Sequence, residues 1–173
     1  MAGRLVLRGA HVVLRPFRAD ELDELVRQAT EASATVGGPP PRDVLARRIE
    51  DSGRFAGGRL DLAVEVDGRL AGSIQARAPE QMSPPGVCEL GIELVPDGRG
   101  RGIGTEAVAL LGGHLLDHGF PRVQASTDVA NVAMKRALER AGFAFEGVMR
   151  SFMPAGDGRA DYALYALTAP GGE

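Results

Sequence analysis

Residues 89–107 read ELGIELVPDGRGRGIGTEA, an apolar strand pattern running through a turn of four glycines and two arginines into an apolar helix pattern. Such a turn aims several backbone N–H groups at one point, and the helix dipole adds partial positive charge there. Gly100, Gly102 and Gly104 allow a close wrap, because a Cβ would hold a ligand away. Arg99 and Arg101 add formal charge within the same turn. The guest these features favour is a pyrophosphate.

Two phosphate-binding signatures can be compared with this turn. A P-loop closes on Gly-Lys-Ser/Thr, whereas Gly102 is followed by Ile103, so that reading fails. The dinucleotide fingerprint G-x-G-x-x-A is satisfied by residues 102–107, and Asp128 lies near the end of the next strand pattern, where a ribose ligand would sit. That fold needs several parallel strands after the motif. Only about 45 residues follow Asp128, and they carry one helix and one hairpin pattern. A dinucleotide-binding oxidoreductase is therefore a distant alternative.

The rest of the chain supplies the context. Residues 4–17 alternate as one or two short strands, and a helix follows with Leu22, Leu25, Val26 and Ala29 on one face, Asp20 being its expected N-cap. Asp43 is the expected cap of a second short helix. Asp67-Gly68 marks a hairpin turn between two alternating arms. A strand over 88–95, a helix over 103–118 ended by Gly119, a strand near 122–128, a helix ended by Gly142 and a closing hairpin complete the order. Antiparallel strands with a strand–helix–strand unit among them predict an α+β fold with one mixed, mostly antiparallel sheet and about four helices. The 173 residues suit one domain, 1–173, with its core over about 4–168.

Bulk properties narrow the function classes. The net charge of −3 gives no general attraction for nucleic acid or anionic membrane, and no apolar run approaches the roughly 20 residues of a membrane span. The first residues carry scattered arginines and no signal-peptide core, so the cytoplasm is the expected location. Cys88 is the only cysteine, which excludes a disulfide framework and a cysteine zinc site. His114 and His118 have the i, i+4 spacing of a zinc pair but lack a neighbouring glutamate and a third ligand, so no metal is expected.

The turn RGRGIG resembles the Q/R-x-x-G-x-G/A signature of the GNAT N-acetyltransferases, with Arg99, Gly102 and Gly104 at its fixed positions. LRPF near the start, ELGIELVP before the turn, GTEA after it, the stretch from Asn131 through ALERAGF, then EGVMR and DYALYAL are similar to the RimJ/RimL-type branch, in its order and over nearly the whole chain. The resemblance implies the GNAT fold, with acetyl-CoA as co-substrate and a primary amine as acceptor, either a protein N-terminus or a small molecule. By resemblance, Arg99, Gly100, Arg101, Gly102, Ile103, Gly104 and Thr105 bind the acetyl-CoA pyrophosphate. The edge of the strand ending at Leu94 and Val95 holds the pantetheine arm as an added peptide strand would be held, and Asn131 and Met134 contact that arm. Residues 88–143 then form the acetyl-CoA part, and 18–59 with the loop 78–86 form the acceptor side. A homodimer through the closing hairpin is left open.

Acetyl transfer to an amine needs a base, a stabilised oxyanion and a thiolate that can leave. In this family the amine attacks directly, so Cys88 needs no catalytic role and is expected to be a buried thiol. At period two, Leu90, Ile92 and Leu94 share one face of the strand, and Glu89, Gly91 and Glu93 share the other. Glu89 is the first choice for the base and Glu93 the second; a β-bulge in this strand would reverse the parity. A backbone N–H of Leu94 or Val95 meets the oxyanion. Relatives carry a tyrosine seven residues after the asparagine or a serine three after it, where this chain has Leu138 and Met134. Tyr162 and Ser151 are the remaining candidate acids, unless the thiolate leaves unaided. A module that binds acyl-CoA without turnover is the competing class. Arg136, Arg140 and Lys135 are candidates for the CoA 3′-phosphate, Glu106 for capping the helix, and Arg150 with Asp161 for a cross-strand pair.

Overall fold

The computed structural model describes residues 3–32, 38–78 and 84–169. The N-terminal segment forms a short hairpin of β1 (Leu7–Arg8) and β2 (Val13–Arg15). After α1 (Leu22–Ala32) and α2 (Arg42–Asp51), a long hairpin of β3 (Arg59–Val66) and β4 (Arg69–Arg77) leads to β5 (Val87–Leu94). Then come α3 (Ile103–Asp117), β6 (Arg122–Asp128), α4 (Val132–Arg140), β7 (Ala144–Ala155) and β8 (Gly158–Thr168). The strands make one sheet in the order β1-β2-β3-β4-β5-β6-β8-β7. Among the described residues, only the β5–β6 pair is parallel. The expected mixed sheet with four helices is what forms, and its single parallel pair removes the dinucleotide-binding alternative.

Each hairpin has a local cause. Asp67 and Gly68 both adopt positive φ, 51° and 76°, which matches the primed turn that right-twisted strands need. Along β3, Leu60, Leu62, Val64 and Val66 enter the larger core beneath α3 and α4, while Ala63 faces the smaller core under α1 and α2. That smaller core consists of Phe17, Leu25, Leu45, Ile49 and Ala63. The helices thus cover opposite faces of the sheet, so a ligand can be gripped from both sides where the sheet opens.

Three local expectations are corrected. Asp20 lies inside a 3₁₀ turn, residues 19–21, that precedes α1, and the Glu21 carboxylate accepts the Arg18 N–H at 2.7 Å in its place. Pro41 stands at the α2 N-cap, and Asp43 pairs with Arg47 one turn on at 3.3 Å. Asp161 accepts the Ser151 N–H at 2.7 Å and does not pair with Arg150. Glu106, besides standing in the first turn of α3, accepts the His11 and Val12 N–H groups at 2.9 and 3.1 Å, latching the β1–β2 turn to α3. The other helix stops are as expected, with Gly119 at φ 93° and Gly142 at φ 91°.

Candidate active site

The site begins where two strands part. The β5–β6 pairing runs from Val87↔Arg122 to Leu90↔Ala125 and stops, whereas the β4–β5 pairing continues to Gly72↔Leu94. The β4–β5 register has no shift over this length, so no bulge reverses the parity read from sequence. Val95 donates its N–H to the Ala71 carbonyl at 3.0 Å. Hydrogen-bonded positions alternate along an antiparallel ladder, so Gly91 and Glu93 also bond towards β4, and Ile92 and Leu94 point their backbone groups into the gap beside β6. The Leu94 carbonyl is taken by Arg99 Nε at 3.1 Å, which leaves its N–H facing the gap.

The glycine turn closes one end of that gap. Gly100 and Gly102 have φ of 76° and 78°, conformations that L side chains rarely adopt. Gly102 is the N-cap of α3, and the first N–H groups of that helix have no intrahelical acceptor. Arg99, Gly100, Gly102, Gly104 and Thr105 line a cavity of about 750 Å³ that reaches Asn131 and Met134 at the start of α4. Leu94 and Val95 line it too. The Asn131 side-chain oxygen accepts the Met134 N–H at 3.1 Å, so Asn131 caps α4 and its amide nitrogen is the group left for a ligand. Two expected contacts fall elsewhere. Arg101 turns to Asp67, 3.8 Å away, and Ile103 is 2% exposed in the core, where it anchors α3. An elongated phosphate-bearing ligand suits this arrangement of a strand edge, a glycine turn and a helix N-terminus.

The two carboxylates on β5 have different surroundings. Glu89 forms an ion pair with Arg77 at 3.0 Å across the β4–β5 ladder and lines neither this cavity nor the one behind it. Glu93 is exposed and lines both. The second cavity, about 310 Å³, lies under α1 and α2 and is polar where Arg48, Arg59, Asp61 and Gln75 reach it. Gln28 of α1 shares with Glu93 the boundary between the two spaces. Gly72 makes the position of Glu93 possible: a Cβ there would overlap the Glu93 carbonyl oxygen.

Other candidates are placed away from the cleft. Cys88 is fully buried, and burial pushes its thiol up to about 11, which suits an inert core residue. Leu138 is also fully buried. Ser151 and Tyr162 line neither cavity; Tyr162 packs against Phe152, with ring centres 5.6 Å apart. His118 Nδ1 is hydrogen-bonded with the His114 carbonyl at 2.8 Å, and no group of three metal-binding side chains is found among the described residues. Asp128 accepts the Ala130 N–H at 2.8 Å within its own turn.

The profile of the acetyltransferase (GNAT) domain matches residues 11–144. The chain belongs to the GNAT acetyltransferase family. It is an acetyl-CoA-dependent N-acetyltransferase, and its fold is that of the RimJ/RimL-type branch. The microcin C7 self-immunity acetyltransferase MccE, solved with acetyl-CoA and AMP, is 19% identical with a TM-score of 0.76, over 93% of this chain and 94% of that one. Mycobacterium smegmatis RimJ, in complex with a CoA-disulfide, is 20% identical with a TM-score of 0.77, over 95% and 86%. RimL, a ribosomal alpha-N-protein acetyltransferase in complex with coenzyme A, is 17% identical with a TM-score of 0.78, over 95% and 98%. No curated protein matches the chain by sequence.

Within this GNAT domain, the structure adds groups that sequence reasoning missed or left undecided. Arg136 and Arg140, on one face of α4, line the larger cavity, and Lys135 does not. Gln28 and Glu31 reach it from α1. Nothing in the helical pattern of α1 separated these two polar residues from an ordinary solvated face. Much of the expected acceptor loop, 79–83, and residues 33–37 lie outside the described residues. No described helix is long and apolar enough to cross a membrane.

Proposed function

We propose that this enzyme transfers the acetyl group of acetyl-CoA to a primary amine by direct attack in a ternary complex, with Glu93 as the base. The observation that carries the reading is that Glu93 stands on the boundary between the long cavity at the glycine turn and the polar cavity beneath α1 and α2. Acetyl-CoA supplies an activated acetyl group as its thioester. The turn from Arg99 to Thr105 and the α3 N-terminus would take the pyrophosphate, and Arg136 and Arg140 would meet the 3′-phosphate. The pantetheine arm would lie along the unpaired edge of β5 at Ile92 and Leu94, with the Asn131 amide beside it. On this division, residues 88–143 handle the donor, and 18–59 with the loop after β4 handle the acceptor, all within one domain spanning the chain.

Glu93, the second choice from sequence, displaces Glu89 because only Glu93 opens onto both spaces; Glu89 is committed to Arg77. The Glu93 carboxylate takes the proton of the acceptor ammonium, directly or through one water, so that a neutral amine attacks. The Leu94 N–H, and not that of Val95, is directed at the carbonyl oxygen as it gains charge, since Val95 already donates to Ala71. With Leu138 buried and Met134 at the cavity wall, the thiolate leaves without a tyrosine or serine acid.

Initial-rate kinetics with acetyl-CoA and a set of primary amines test this. Intersecting double-reciprocal lines are expected for a ternary complex. Parallel lines would point to an acetyl-enzyme intermediate and contradict direct attack. Tight acetyl-CoA binding with no transfer to any amine would favour the acyl-CoA-binding module, which the absent acid motivates.

A further inference from the structure

The smaller cavity holds a charge pattern that acetyl-CoA chemistry does not require. Three arginines line it, and two are neutralised by their own partners. Arg59 holds Asp61 through Nε at 2.6 Å and a terminal nitrogen at 2.7 Å, and also donates to Gln75. Arg77 is paired with Glu89. Among the described residues, the side chain of Arg48, half-buried on the inner face of α2, makes no hydrogen bond or ion pair. Burial pushes its guanidinium below its ordinary value; Arg59 adds to this, Asp61 and Glu93 oppose it, and Arg77 adds to it again. A guanidinium is a fork of donors matched to carboxylate or phosphate oxygens, and one left half-buried without an acceptor is costly unless a ligand supplies it.

Among the described residues, Glu93 is the other charge on the same wall whose side chain makes no hydrogen bond or ion pair. Among the described residues, the lining charges therefore reduce to the Arg59–Asp61 pair, Arg77 with its partner Glu89 outside the cavity, and one cation on α2 and one anion on β5 without a partner. They do not bridge to each other, and both line the smaller cavity. Apolar walls from Phe17, Leu25 and Leu45 surround them. Such a site is complementary to a molecule with an ammonium at one end and an anion at the other.

We infer that the acceptor is an amine that also carries a carboxylate or phosphate, its ammonium directed to Glu93 and its anion held by Arg48. This inference rests on the reading of Glu93 as the acceptor-side base. It makes Arg48 a specificity-determining residue, and it predicts discrimination against polycationic amines, whose extra ammonium would be set against Arg48.

The test compares matched acceptors at saturating acetyl-CoA, with release of the CoA thiol as the readout. β-Alanine is set against β-alaninamide, phosphoethanolamine against ethanolamine, and an aspartyl-initiated peptide against its asparaginyl counterpart; spermidine represents the polycations. At least one anionic member is expected to exceed its neutral counterpart in kcat/KM, and the pair with the largest gap identifies the source of the anion. Arg48→Gln should raise the KM of that acceptor roughly tenfold to a hundredfold and leave the KM of acetyl-CoA unchanged. Arg48→Lys should recover part of the loss. Arg47→Gln, on the exposed side of the same helix, should change neither constant. Neutral or cationic amines used as well as the anionic ones would overturn the inference. So would an Arg48→Gln variant with an unaltered acceptor KM, or acetyl-CoA binding with no turnover of any anionic amine. A protein whose melting temperature does not respond to acetyl-CoA would instead remove the transferase reading beneath it.

Discussion

Glu89 and Glu93 share one strand, one face and one chemistry, and their distance along β5 decides what each can reach. Their common face was legible from period-two alternation, because Leu90, Ile92 and Leu94 had to turn towards α3. Their ranking was not legible, since it depends on a cross-strand arginine, Arg77, and on where β6 leaves the sheet. The same limit applies to Glu21, which reads in sequence as one more acidic residue at a helix start. In the structure it accepts two hydrogen bonds from Arg15, at 2.5 and 2.9 Å, and one from the Arg18 N–H. Burial raises the Glu21 carboxyl, but these bonds outweigh it and hold the group below its ordinary value. Its contribution to stability is therefore complete above the ordinary carboxylate pKa and is lost as pH falls through the lowered folded value. Glu21→Gln should cost about 2 kcal/mol at neutral pH in urea unfolding, with the gap to wild type closing below about pH 4. A gap unchanged at pH 3 would show that the cost is not ionic.

The strand–turn–helix element running from β5 into α3 was the most legible part of the chain, because its glycines answer to backbone geometry more than to packing. Gly102 needs its positive φ of 78°, whereas Gly104 lies within the first turn of α3 and a Cβ there meets only Leu94 Cδ1, at 3.6 Å. Gly102→Ala forces a left-handed alanine at a cost of about 1–2 kcal/mol, so acetyl-CoA affinity should fall roughly tenfold in calorimetric titration while the fold persists. Gly104→Ala should cost clearly less. Equal losses from the two variants would mean that close ligand approach, and not turn conformation, governs this element. The starts of α1 and α2 were misread for a related reason. Asp20 and Asp43 have the residue type of a cap, but a 3₁₀ turn and a proline had already set those entries.

At the scale of the whole molecule, α1 and α2 pack on one face of the sheet and α3 and α4 on the other, and the parting of β5 from β6 joins the two sides. The proposed donor side is nearly contiguous in sequence, so its glycine turn, strand edge and Asn131 fall within one recognisable pattern. The proposed acceptor side would draw Gln28 from α1, Arg48 from α2, Asp61 from β3 and Glu93 from β5, which line one cavity, and none of these has a spacing signature. Arg48 in particular is one arginine among several on a charged helix, and what sets it apart is that its side chain has no partner among the described residues. The proposed mechanism requires Glu93 to join the donor and acceptor spaces, and paired kinetics of Glu93→Gln and Glu89→Gln test this most directly. With acetyl-CoA saturating and an accepted amine, Glu93→Gln should lower kcat by about 10²–10⁴ with acetyl-CoA affinity intact, and Glu89→Gln should change kcat by less than about tenfold. The opposite ranking, with Glu89→Gln inactive and Glu93→Gln near wild type, would contradict it.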